Sequence, residues 1–157
     1  MDEIDVKIIE MLSQNADATA TQIGAKVNLS VPAVNKRIQK LKQEGSIRQF
    51  TILVDKEKAG KPILAFILVV LHAGSGVKAL LDYVSRDPDV LECYAVTGEY
   101  DYMLKVCAAN VQALENKLLC LKQQKGVVKS HTMLSLMEHK FQPTILPDRQ
   151  DQTGTGK

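Results

Sequence analysis

Between residues 26 and 50 the chain carries Lys26, Lys36, Arg37, Lys40, Lys42 and Arg48 against one acid, Glu44, a local charge of +5. Asn35 and Gln39 are interleaved with them. These types form a chemical set. Asn and Gln can bond an adenine edge, while Arg and Lys can bond guanine or hold phosphate. Residues 1 to 25 have the opposite balance, Lys7 against Asp2, Glu3, Asp5, Glu10 and Asp17, a charge of −4. The chain total of +2 conceals both. The ordinary alternative is a solvated helix face, since Lys near a helix C-terminus is also favoured by the macrodipole.

Other chemistry is poorly supplied. Cys93, Cys107 and Cys120 show no CxxC spacing, which argues against a disulfide scaffold or a zinc finger and for small buried hydrophobes. His131 and His139 stand eight apart on an expected strand, without further ligands at a fixed spacing, so no metal site is expected. No Ser/His/Asp order, carboxylate pair or phosphate-cradling glycine loop stands out. The reading is therefore not an enzyme, with no cofactor. Aromatic residues are 4% and Trp is absent, which argues against a base-stacking platform. The acidic start MDEIDVK has no apolar signal region, and Ile63 to Leu71 is too short to span a bilayer as a helix. A cytoplasmic protein with no membrane partner is expected.

The elements that must position the basic set follow from apolar spacing. Ile4, Ile8 and Leu12 mark a first helix ending near Asn15 and Ala16. A short second helix carries Ile23 and Val27, with Thr21 as its expected cap. Asn28-Leu29-Ser30 reads as a turn. A third helix opens with Ser30 as N-cap and Pro32 in its first turn, buries Val34, Ile38 and Leu41, and stops at Gly45. Three short helices with the last one basic describe a helix-turn-helix. Ile47 to Val54 looks extended, and the charged stretch to Pro62 reads as a linker.

A second pattern follows. Ile63 to Leu71 is a strand covered on both faces; Val77, Leu80, Leu81 and Val84 mark a helix stopped by Asp87-Pro88. Val90 to Thr97 and Tyr100 to Ala108 are strands around a two-residue Gly98-Glu99 turn. Asn110 caps a last helix, and Val127 to Met137 is the fourth strand. Strand, helix, strand, strand, helix, strand is the split βαβ, ferredoxin-like order. The fold class expected is α+β. The expected domains are 1–48, a linker strand and hinge at 49–61, a second domain at 62–142 to which the resemblance described next assigns ligand binding and oligomerisation, and a disordered tail at 143–157.

With these elements in order, the chain resembles the Lrp/AsnC transcriptional regulators, the leucine-responsive or feast/famine proteins. The carriers are Asp2, Asp5, Ile8-Ile9, Leu12, Leu29-Ser30, Ala33-Val34, Arg37-Ile38, Leu41, Gly45 and Ile47. They continue with Thr97-Gly98-Glu99-Tyr100-Asp101-Tyr102, Gly126-Val127, Ser130, Thr132 and Lys140. The resemblance implies a winged helix-turn-helix on double-stranded DNA and a RAM-type second domain. It also implies a linker strand pairing with that of a second subunit, homodimers packed sheet on sheet, assembly to octamers, and an amino-acid effector. Asp17 stands where many members carry Arg, so no contact is carried over from that loop.

The sites expected are these. Ser30, Pro32, Ala33, Asn35 and Lys36 lie nearest base edges, and Arg37 and Lys40 nearest phosphates. Arg37 has a second reading from the resemblance, a buttress to a carboxylate of the first helix. Backbone N–H groups at Gly98 would take the carboxylate of a small, apolar amino acid, and Asp101 its ammonium; a plain turn and a hairpin cap are the alternatives. Thr97, Glu99, Tyr100 and Tyr102 lie beside them. Ser130 and Thr132 would complete the site from a neighbouring subunit, with Met133 and Leu134 packing there or at the subunit interface. Rival functions are a nucleoid-type architectural DNA binder without effector, and a small-molecule-binding module acting on proteins.

Overall fold

The computed structural model of the chain describes residues 1–148. The chain divides into two units, Met1–Ile52 with the segment from Lys140, and Leu53–His139. The expected tail lies outside the described residues beyond position 148; positions 143–148 carry no helix or strand.

The first unit holds α1 (Glu3–Gln14), α2 (Ala20–Val27) and α3 (Val31–Gln43). Their apolar stripes meet in a core of Ile8, Ile9, Ile23, Val27, Val34 and Leu41. Asp2 and Asp5 form a reciprocal capping box on α1. The cap of α2 is Thr19 rather than Thr21, because Gln22 returns a side-chain bond to Thr19 and completes a second box. Asn28 then takes a left-handed φ of 54°, which its short polar side chain tolerates, and turns the chain into α3. The turn lies so close to α2 that a Cβ on Gly24 would overlap the Leu29 carbonyl oxygen. Pro32 sits in the first turn of α3 as expected, and Gly45 ends the helix region with φ +76°. Residues 48–54 carry neither helix nor strand.

The second unit begins its regular structure with β1 (Ile63–Leu71) and α4 (Val77–Arg86). It continues with β2 (Val90–Ala95), β3 (Tyr102–Ala108), α5 (Val111–Lys122) and β4 (Val127–Leu134). The sheet order is β2-β3-β1-β4, antiparallel at each ladder, so β3 separates the two strands that α4 connects. Ala65, Ile67, Val69, Leu104 and Val106 alternate along β1 and β3 and pack with Leu80, Leu114 and Leu121 of the helices. Both helices therefore cover one sheet face. Their partners in the alternation, Leu64, Phe66, Leu68 and Val70 of β1 with Met103 and Lys105 of β3, form the other face. The strand expected to continue to Met137 stops at Leu134.

The Gly98-Glu99 turn is also longer than two residues. The ladder closes at Ala95 and Tyr102, and Val96 donates to the Asp101 carbonyl at 2.9 Å. Gly98 keeps the positive φ, +113°, that the turn requires. The helix face is clamped by charge. Lys117 of α5 bonds both Asp87 oxygens at 2.7 and 2.8 Å and Asp89 at 3.0 Å, and Lys61 joins Asp89.

Candidate DNA-binding and effector sites

On α3, Ser30, Pro32, Asn35, Lys36, Gln39 and Lys40 are exposed, and Ala33 is half-buried. They fall on the side opposite Val34 and Leu41, which anchor the helix in the core. Ser30 occupies the N-cap position, yet its hydroxyl makes no capping bond. Lys40 reaches only Glu44, at 3.6 Å, an exposed pair of small energetic weight. In the last turn of the helix, the Lys42 ammonium lies 4.6 Å from the centre of the Phe50 ring.

Arg37 is different. Its Nη1 donates to Asp2 Oδ2 at 2.6 Å and to Asp5 Oδ1 at 2.7 Å. Both carboxylates belong to the capping box at the positive end of α1. The Asp5 side chain is only 7% exposed. The Asp5 N–H, and then the Arg37 guanidinium, hold the Asp2 carboxyl below the ordinary carboxylate range; the same two acids push Arg37 upward. Of the two readings of Arg37, these bonds are those of the buttress. Arg37 staples α3 to α1 and fixes the angle at which the exposed face is presented.

In the second unit Asp101 organises the β2–β3 loop. Its N–H donates to the Val69 carbonyl at 2.9 Å, and its Oδ2 accepts from the Leu71 N–H at 2.7 Å. One carboxylate oxygen is thus engaged in fastening the loop to the end of β1, the hairpin-cap role. Thr97, Gly98 and Glu99 are exposed beside it. Space for a Cβ on Gly98 is open for 4 Å.

The remaining expected residues divide between two faces. Tyr102 and Ser130 both pair with Val69, and Thr132 pairs with Ile67, all on the helix-covered side. Leu134 pairs with Ala65 on that side, at the sheet edge, and is exposed. Met133 pairs with Phe66 on the other side. Tyr100 is half-buried, with its ring centre 6.3 Å from that of His131 and 5.7 Å from the Lys129 ammonium. Sequence reasoning passed over these two neighbours because it considered His131 only as a metal ligand. A cleft of about 560 Å³ does exist at the end of α4, among Asp82, Tyr83, Arg86 and Gln124, but none of the expected effector residues lines it. Gly98 and Asp101 are both exposed among the described residues.

A helix-turn-helix with an exposed basic third helix, joined to a ferredoxin-like domain, is the layout of a two-domain DNA-binding protein. The chain belongs to the Lrp/AsnC family of transcriptional regulators. Residues 1–48 match the winged helix-turn-helix DNA-binding family, and residues 64–145 match the Lrp/AsnC ligand-binding domain. The HTH-type transcriptional regulator FL11 of Pyrococcus horikoshii is 36% identical over 147 residues, which are 94% of this chain and 96% of that one. A glutamate uptake regulatory protein of Zymomonas mobilis is 30% identical over 94% of this chain and 90% of its own. A transcriptional regulator of Neisseria meningitidis, solved as an L-Met complex, superposes with a TM-score of 0.89 at 28% identity, covering 92% of this chain and 96% of that one. The protein is a ligand-responsive, DNA-binding transcriptional regulator. No helix among the described residues is long and apolar enough to cross a membrane.

Proposed function

We propose that the N-terminal half of α3 reads double-stranded DNA in the major groove, and that an amino acid bound beside Gly98 sets the strength of that binding. The observation that supports the first half is the fate of the charges on α3. Arg37 is tied to Asp2 and Asp5, while Lys36 and Lys40 stand exposed beside Asn35, Ser30 and Pro32. Asn35 and Lys36 then face base edges, with Ala33 giving close approach; Lys40 and the uncapped Ser30 hydroxyl face phosphates. Replacing Lys40 by alanine should weaken binding on all sequences alike and lower the log–log salt slope by roughly one unit. An unchanged slope contradicts this.

For the effector, the exposed peptide groups of Thr97, Gly98 and Glu99 suit a carboxylate, and the second oxygen of Asp101 suits an ammonium. Tyr100 supplies an apolar wall. Ser130, Thr132, Met133 and Leu134 lie on an edge strand, where a neighbouring copy can add them to the site. The L-Met bound by the Neisseria relative supports an amino acid as the class of ligand. Calorimetry against the twenty amino acids tests it. Asp101→Asn is the better control than alanine, because it keeps an acceptor for the Leu71 N–H while removing the charge. No heat with any amino acid refutes the effector reading.

The working unit is a homodimer joined through the uncovered sheet face, with the segment before β1 pairing between subunits, and dimers assembling to octamers. Half-sites should then lie about one helical turn, roughly 10 base pairs, apart. The protein acts in the cytoplasm, without a catalytic step and without a cofactor besides the effector. The working domains are residues 1–48 and 62–142, with 49–61 as the hinge.

A further inference from the structure

The uncovered sheet face is apolar along β1, carries Lys129 and His131 on the edge strand β4 opposite Val70 and Leu68, and holds an acid–base pair on its other half. Lys105 of β3 lies between Phe66 of β1 and Glu92 of β2 in the strand register. Its ammonium bonds Glu92 Oε1 at 2.9 Å, and the Tyr94 hydroxyl donates to Glu92 Oε2 at 3.0 Å. Each oxygen of the carboxylate is thus engaged. The Lys105 side chain is only 18% exposed. Lys105 and then, more weakly, Tyr94 hold Glu92 below the ordinary carboxylate range, so the carboxylate stays charged at neutral pH.

An acid and a base side by side on a contact face have a particular consequence under twofold symmetry. In the register whose twofold axis passes between the two groups, the patch meets its own image with each charge opposite the other sign on the second copy. A face of different charge pattern meets an unmatched, desolvated ion instead. We propose that the Glu92–Lys105 pair, braced by Tyr94, selects a second copy of this chain as the partner of the sheet face and fixes its register. The inference rests on the sheet-face homodimer argued above and adds what makes that contact selective.

Charge exchange on the full chain tests it. Lys105→Glu alone places four acids together in the dimer and should raise the dimer Kd by about 30-fold or more. The double variant E92K/K105E restores the pairing with signs reversed and should dimerise nearly as tightly as the wild type. Mixed with isotopically labelled wild type, it should give far fewer mixed dimers in native mass spectrometry than the half expected of random exchange. A Lys105→Glu variant that dimerises like the wild type, or mixed dimers at the random half, overturns the proposal. Met133→Arg, an exposed site on the same face, separates the two claims. If it leaves the dimer intact, the sheet-face reading falls and the inference falls with it. If it dissociates the dimer while Lys105→Glu does not, only the selection inference falls. Thermal unfolding of each variant confirms that the fold is retained.

Discussion

Replacing Arg37 by alanine should destabilise the first unit by about 2–3 kcal/mol. The figure follows from the exposure of the three groups. Breaking a buried pair from one side costs about 3–5 kcal/mol, because the remaining charge stays buried, whereas an exposed pair is worth about 0–1 kcal/mol. Asp5, at 7% side-chain exposure, belongs to the first regime, and Asp2, at 53%, to the second. Arg37 itself is 30% exposed, which lets water reach the vacated position and lowers the cost from the buried limit. A unit of this size has a total stability of roughly 3–7 kcal/mol. The substitution therefore removes a large fraction of it. Two probes in a urea titration locate the loss. All four tyrosines, Tyr83, Tyr94, Tyr100 and Tyr102, lie in the second unit, so tyrosine fluorescence reports that unit alone while far-ultraviolet ellipticity reports helices in both. The ellipticity change should gain an early component and the tyrosine midpoint should hold. An Arg37→Ala/Asp5→Ala double variant should lose less than the sum of the two single losses, since no buried acid is left unpaired. A loss under about 0.5 kcal/mol, with a salt slope for DNA lowered by about one, would refute the buttress and return Arg37 to the phosphates.

Gly24→Ala should destabilise the first unit by roughly 1–3 kcal/mol despite alanine's better helix propensity, because the new Cβ meets the Leu29 carbonyl; a stabilised variant in thermal unfolding contradicts the packing. Gly126→Ala combines a left-handed φ of +87° with overlap against the Gly76 backbone, so it should lower the melting point of the second unit, followed by tyrosine fluorescence. Acid should act on Asp2, Asp89 and Glu92 together. Each is held low by bonds to N–H donors or ammonium groups, so the stability each adds is full above the ordinary carboxylate pKa and declines as pH falls through the lower folded value. Denaturant midpoints should be flat from about pH 5 to 7 and fall below about pH 4; a fall already complete at pH 5 contradicts these pairings.

Much of the fold was legible because the apolar periods are clean. Val34 with Leu41, Ile63 to Leu71, and Leu114 with Leu121 announce their faces directly. The misplacements are local. Thr21 and Thr19 are equally good caps by type, and only the returning Gln22 bond distinguishes them. The β2–β3 loop looked like a two-residue turn because glycine marks where φ is positive and not where the ladder closes. The split of Tyr100 from Tyr102 onto different sides, and Tyr100's proximity to His131 and Lys129, depend on how β4 pairs with β1, which neither segment encodes alone. Gly24 carries only the weak signal of a glycine inside a helix. The charge blocks before and after residue 25 proved to be partly one structure, since Asp2 and Asp5 of the acidic block hold Arg37 of the basic one. The net +5 around α3 therefore overstates what is left to meet DNA.

The central claim, that DNA binding through α3 answers to a ligand in the second domain, is tested most directly by one titration. Fluorescence anisotropy would follow the full chain on a duplex selected from random sequence, at several salt concentrations, with and without a saturating amino-acid mixture. Salt-dependent binding whose affinity shifts several-fold on adding the mixture, with the shift abolished in Asp101→Asn, is the predicted result. Binding that ignores the mixture in wild-type protein, or a shift of the same size in Asp101→Asn, would contradict it.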